Sequence, residues 1–162
     1  MNRADILIAK NNKNISLEEL REEVINTVTE TEKTYWELVF ALDNLKVKEL
    51  SLKRAKDLLE TNRVRMKAGT ASQLEVLAAE AEVASRKQEV IIAHKMLSDA
   101  QDNLKIVTNL IQDPKLWNFD IIPLDKPPLE AKEIDLVESV RTAFKKRPDY
   151  QKEKIDLRNK DI

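Results

Sequence analysis

The chain has 162 residues, of which 35% are charged and only 4% are aromatic, and it contains one glycine. This composition is typical of long helices or coiled coils, so the sequence predicts an elongated all-α molecule rather than a compact core. The 28 basic and 29 acidic residues nearly cancel, which leaves no global field to attract nucleic acid or an anionic membrane. The absence of cysteine excludes disulfides and thiolate metal sites.

The chain as given contains no run of about 18 apolar residues, and residues 1–15 lack the basic, apolar and small-residue regions of a signal peptide. We therefore expect no membrane-spanning segment and no export address in it. An excised part of an exported membrane protein is compatible with both observations.

The first predicted element is a long helix. From Leu17 to Met66, apolar residues recur at alternating spacings of three and four, which is the seam pattern of coiled-coil packing. Ser16 and Glu19 form a capping box, and asparagines weaken the helix before it, so the residues alone place the helix start at Ser16. The predicted seam residues are Leu17, Leu20, Val24, Val28, Thr31, Tyr35, Leu38, Leu42, Leu45, Leu52, Ala55, Leu59 and Met66.

A tip turn is predicted at residues 67–72, around the single glycine. Gly69 follows basic residues, as expected at the C-terminus of a helix, and adopts a positive φ without a Cβ clash. Ser72 and Glu75 then form a second capping box that starts a new helix. A helix stop and a helix start this close together predict an antiparallel helical hairpin over residues 1–111.

The second helix carries a heptad seam of its own, formed by Val76, Val83, Val90, Leu97, Leu104 and Ile111 with Ala79, Ala93, Ala100 and Val107 between them and Arg86 interrupting. Ala78, Ala81 and Ala84 add a second small-residue face. This second face indicates assembly into a larger helical wall, although alanine is also simply a good helix former.

Asp113-Pro114 is predicted to end the second helix. Residues 112–132 are proline-rich and irregular, with alternation over 117–122 that favours a short strand whose aromatic residues bury against the open end of the hairpin. Residues 133–162 return to helical spacing, and Arg147-Pro148 divides them into two short helices. The second of these helices runs to the chain end without a cap, which we interpret as truncation.

No pattern supports an enzyme, a metal site or a cofactor. His94 is the only histidine and has no convergent partners, so a solvated structural role is expected for it. Six basic residues lie near the end of the first helix: Lys53, Arg54, Lys56, Arg63, Arg65 and Lys67. They either complement the helix dipole or form a docking surface for an acidic partner, and an RNA contact lacks the interleaved aromatics it needs.

The run from Arg65 to Leu77 resembles the tip turn of TolC-like outer-membrane efflux proteins, in which Arg-x-x-x-Gly-Leu-x-Ser precedes a Val-Leu pair. The segment 34–38, with Tyr35-Trp36, is similar to the family's aromatic-pair segment. Lys146-Arg147-Pro148-Asp149-Tyr150 resembles the Arg-Pro-Asp element that begins its next repeat. The resemblance covers essentially the whole chain.

The resemblance implies a homotrimer in which each subunit contributes two repeats to an outer-membrane β-barrel and a periplasmic α-helical tunnel. The hairpin tip then docks a periplasmic adaptor protein through Arg65, Gly69, Thr70 and Ser72, and the chain is the periplasmic portion of one repeat. Thr70 stands where the family usually has leucine. The resemblance also implies that the first helix continues back to about Ala4, in place of the start at Ser16.

Two other functions fit a hairpin with a recognition tip. A periplasmic adaptor also presents a helical hairpin, but it continues into glycine- and valine-rich strands, whereas this chain continues into a proline-rich segment and more helix. A cytosolic coiled-coil scaffold is the third possibility. A signal peptide and alternating strands encoded upstream of Met1 would favour the channel over both.

Overall fold

The computed structural model describes residues 3–127 and 133–162. Its helices are α1 (Arg3–Lys67), α2 (Gln73–Val107), α3 (Leu136–Lys146) and α4 (Pro148–Lys160), with 3₁₀ turns at Leu110–Gln112 and Pro114–Leu116. No strand occurs within these ranges, which confirms the all-α prediction. No helix in the described part of the chain is long and apolar enough to cross a membrane.

The described residues fall into two compact units. One unit holds residues 31–127, and the other joins residues 3–30 to 133–162.

The first of these units is an antiparallel helical hairpin, as predicted. Lys48 Nζ lies 2.8 Å from Glu89 Oε2, and Arg63 Nη2 lies 2.8 Å from Glu80 Oε1. As residue numbers rise along α1 they fall along α2, so the two helices run in opposite directions.

The hairpin seam follows the predicted heptads between Thr31 and Leu59. Leu38 is fully buried, and small side chains at the seam let the two helix backbones approach closely. Burying one valine or leucine contributes about 1.5–3 kcal/mol, so the seam is the main source of stability for this unit. The buried apolar residues are Leu38, Val39, Ala41, Leu45 and Ala55 on α1, and Val76, Ala79, Val83, Ala93 and Leu104 on α2.

Arg86, which interrupts the predicted seam, belongs to an ion network in the middle of the hairpin. Its guanidinium lies 2.7 Å from Glu82 and 3.0 Å from Glu89, and Glu89 also accepts the hydrogen bond from Lys48. The hydrogen bond from Lys48 and the charge of Arg86 lower the pKa of the Glu89 carboxyl. The network therefore joins α1 to α2 by charge where the apolar seam is broken.

Helix α2 ends at Val107, before the end predicted at Asp113. Thr108 caps the last turn by donating its hydroxyl to Leu104 O at 2.6 Å. Asn109 then adopts φ 60°, a left-handed conformation that asparagine tolerates and that stops an α-helix. Ile111, predicted as the last seam residue, lies instead in a 3₁₀ turn.

The strand predicted at residues 117–122 is not formed. A strand needs a neighbouring chain to complete its hydrogen-bond ladder, whereas carbonyl groups here accept bonds from side chains. Lys105 Nζ donates to Trp117 O at 2.9 Å, and Gln101 Nε2 reaches Ile121 O at 3.5 Å. The aromatic residues predicted to be buried are also exposed, Trp117 to 58% and Phe119 to 63%. Residues 128–132 of the predicted irregular segment lie outside the described residues.

In the other unit, helix α1 begins at Arg3, so the start at Ser16 predicted from the residues alone was wrong. The asparagines that weaken this stretch pair with α4. Asn11 Nδ2 donates to Asn159 Oδ1 at 2.7 Å, and Asn159 Nδ2 donates to Asn12 Oδ1 at 3.1 Å. Such a polar pair fixes the register between two helices, and this offsets its low helix propensity.

The face of α1 that this unit covers differs from the predicted one. Ala4, Ile8, Asn11, Ile15 and Glu18 are half-buried. At about 100° per residue, the predicted seam positions lie on the opposite side of the helix, and they are exposed to 51–61%: Leu17, Leu20, Val24 and Val28.

Helices α3 and α4 meet at Arg147-Pro148, as predicted. Asp135 caps α3 by accepting from Val137 N at 2.9 Å, and Pro148 occupies the first turn of α4, where its missing N–H costs nothing. The rings of Phe144 and Tyr150 pack edge to face across the junction, 5.3 Å apart.

We expect spin labels on cysteines placed at Glu49 and His94 to report a short distance, because His94 Nε2 and Glu49 Oε1 are 3.9 Å apart in the hairpin. The chain has no cysteine of its own, so labelling is specific. Double electron–electron resonance measures the separation. A single continuous rod would place the labels roughly 65 Å apart at 1.5 Å per residue, and that result would contradict the hairpin.

We expect the stability gained from Glu89 to depend on pH. Its folded-state pKa is lowered, so its contribution is fully present above the ordinary glutamate pKa of about 4.3 and is lost as the pH falls through the lower folded-state pKa. Glu89→Gln should therefore lower the melting temperature at pH 7, and the difference from the parent protein should shrink as the pH is lowered through the acid range. Glu60→Gln, at an exposed position of α1 outside the network, serves as the control, and a pH-independent difference for Glu89→Gln would contradict the assignment.

Candidate functional site: the hairpin tip

The tip turn is built by hydrogen bonds between backbone groups. Gly69 has φ 74°, and its N–H donates to Met66 O at 2.9 Å. The N–H of Thr70 reaches back to Arg65 O at 2.8 Å. These two bonds form a Schellman motif, which satisfies carbonyls that the end of α1 would otherwise leave free. The turn is therefore a defined structure fixed by one glycine.

Arg65 and Thr70 hold the turn through their side chains. The Thr70 hydroxyl donates to Arg65 O at 3.1 Å, and Arg65 Nη2 reaches Thr70 O at 3.4 Å. A leucine at position 70 could not make the hydroxyl bond. Thr70 therefore adds a polar contact inside the turn, and this contact joins two of the four predicted site residues.

Ser72 starts α2. Its backbone is extended, and its Oγ accepts from Glu75 N at 3.3 Å, which is one of the two bonds of the predicted capping box. Gly69 and Ser72 thus have backbone roles. All four predicted site residues, Arg65, Gly69, Thr70 and Ser72, are exposed at the surface of the tip.

A groove that the sequence alone did not indicate lies beside these polar residues, and its walls are partly apolar and partly polar. It has a volume of about 670 Å³ and is lined by Met66, Gln73, Leu74, Val76, Leu77 and Glu80. Leu74 is 73% exposed and Leu77 is 61% exposed. The sequence did carry one signal for these two leucines, because they lie beside the seam residue Val76 and not on the seam. A leucine off the seam has no apolar partner within a two-helix hairpin.

The charges at the tip are partly paired. Arg63 forms its salt bridge with Glu80 at the edge of the groove, whereas Arg65 turns towards a neutral carbonyl. The structure shows no cluster of three or more His, Asp or Glu side chains able to hold a metal within residues 3–127 and 133–162. The tip can therefore offer a partner apolar contact beside basic groups.

The family model described as outer membrane efflux protein matches residues 1–109, which include both arms of the hairpin and its tip. No curated protein and no solved structure matches the chain significantly.

Gly69→Ala should destabilise the chain by about 1 kcal/mol, because an L-residue resists positive φ. A Cβ built at Gly69 meets nothing within 4 Å, so the cost comes from the backbone alone. Gly69→Asn should cost less than Gly69→Ala, since asparagine tolerates the left-handed region. Urea denaturation monitored by circular dichroism measures both. Equal costs for alanine and asparagine would show that φ does not limit this position.

Proposed function

This chain belongs to the outer membrane efflux protein family, and we propose that its hairpin forms part of the periplasmic α-helical tunnel of a trimeric efflux channel. The hairpin tip would dock a periplasmic adaptor protein there. The observation that carries the docking proposal is the groove beside this turn, in which Leu74 and Leu77 are exposed. Neither the adaptor hairpin nor the cytosolic scaffold accounts for the family match over residues 1–109.

A pre-formed turn suits docking because it reduces the entropy lost on binding. Gly69 and Thr70 fix the backbone of the tip before any partner arrives. The exposed side chains of Leu74 and Leu77 then supply apolar surface that a partner can remove from water. Arg65, at the rim, supplies a positive charge that favours an acidic group on the partner.

Assembly into a tunnel wall is supported by surfaces of the hairpin that its own two helices do not cover. Ala78, Ala81 and Ala84 are exposed along α2, as are the larger residues Ile91 and Ile92. Small residues permit close helix approach, and exposed isoleucines on a helix face are typical of interaction surfaces. Neighbouring subunits of a trimer would cover them.

Two substitutions in the full-length protein test the docking proposal. Leu74→Glu should remove efflux, because a carboxylate in place of this exposed leucine must be desolvated when the partner binds. Arg65→Glu should also lower efflux, by reversing the charge at the rim. Both side chains are exposed, so each variant should change the stability of the trimer by less than about 1 kcal/mol.

Matched controls separate docking from assembly. Lys56→Glu makes the same charge change as Arg65→Glu, at an exposed position of α1 away from the tip. Leu50→Glu makes the same change as Leu74→Glu, at a leucine of α1 that is 49% exposed. Drug or metal resistance of cells, trimer content in mild detergent and adaptor co-purification are measured together. Normal efflux with Leu74→Glu and Arg65→Glu, in trimers that still bind the adaptor, would refute docking through this tip.

A further inference from the structure

A second cavity lies within the hairpin unit, beside the aromatic pair Tyr35-Trp36 of α1. It has a volume of about 630 Å³, in the range of pockets that hold small organic molecules. Its walls are mostly apolar. They include the two aromatic rings together with Leu104, Leu110 and Ile121.

The aromatic wall of the cavity is held in place by a hydrogen bond to the loop that follows α2. Tyr35 OH donates to Asp125 Oδ2 at 2.8 Å, and Asp125 N donates back to the same hydroxyl oxygen at 3.3 Å. The rings of Tyr35 and Trp36 lie 5.4 Å apart in an edge-to-face arrangement. These hydrogen bonds order the Tyr35 side of the cavity, and the indole of Trp36 lines the cavity next to it.

The charges at the cavity have one sign. Glu32 and Asp125 carry carboxylates, and none of the described residues that line it is basic. Lys105, one residue from the lining Leu104, turns its ammonium to Trp117 O and to Asp102. An apolar cavity with two carboxylates and an aromatic face favours a molecule that is both apolar and positively charged, since the cation gains from the carboxylates and from the ring.

We infer that this cavity binds planar aromatic monocations, with Trp36 contacting the ring system and Glu32 and Asp125 balancing the charge. The inference goes beyond the proposed docking function, because it needs neither the adaptor nor the groove at the tip.

The test uses a pair of probes with the same shape and different charge. N-methylacridinium is a permanent cation, and acridine is its neutral counterpart at pH 7.5. We expect isothermal titration calorimetry to show saturable binding of the cation that is about tenfold tighter than that of acridine. In a Trp117→Phe variant, which keeps Trp36 as the only indole, the cation should quench the remaining fluorescence.

The double variant Glu32→Gln/Asp125→Asn should abolish the preference for the cation and leave acridine affinity unchanged within about twofold. Both substitutions preserve side-chain shape, and the amide oxygen introduced by Asp125→Asn can still accept from the Tyr35 hydroxyl. Asp120→Asn, which removes one exposed carboxylate outside the cavity lining, is the control and should keep the preference. Absence of saturable binding, equal affinity for the two probes, or a preference that survives in the double variant would each overturn the inference.

Discussion

The hairpin depends on burial of one side of α1 against α2. A helix of 65 residues has no core of its own, and isolated helices are marginally stable in water, so its stability must come from a second element. The turn at Gly69 supplies that element by reversing the chain. Alanines at the seam, such as Ala41 and Ala93, then let the backbones approach until Leu38 is fully buried. Where Arg86 interrupts the apolar contact, an ion network with Glu89 and Lys48 takes its place.

The sequence resemblance assigned both the shape of the tip and contact with a partner to the same four residues, whereas the structure gives these residues roles in the turn itself. Gly69, Thr70 and Ser72 hold the backbone, and their polar groups bond within the turn. The adjacent leucines are mostly exposed to solvent. In the docking that we propose, a partner would gain little by breaking the turn and more by covering Leu74, so the polar residues would give the tip its shape and the apolar residues its binding energy.

Features of the fold that depend on local backbone chemistry could be predicted from the sequence. The turn at Gly69 needs a positive φ and Ser72 caps a helix, whatever surrounds them. The heptads from Thr31 to Leu59 correctly indicated which side of α1 packs against α2. Features decided by tertiary contacts could not be predicted. Heptads at Leu17 and Val28 look like seam positions, yet α4 covers the other face of that stretch through Asn11. The groove at the tip was missed for the same reason, because only the folded hairpin shows which leucines its seam leaves exposed.

The groove at the tip and the cavity at Tyr35 both include residues of α1, so a change at one could in principle be transmitted to the other along this helix. Met66 and Tyr35 are separated by roughly 45 Å along α1, at 1.5 Å per residue. Substitutions this far apart, with no common contact, contribute additively to stability. Coupling between two sites needs an element with two arrangements, whereas the stretch between them is continuous helix whose seam residues, Leu45 and Ala55, are buried. Occupation of the cavity should therefore leave the shape of the tip unchanged, and each site can be altered without altering the other.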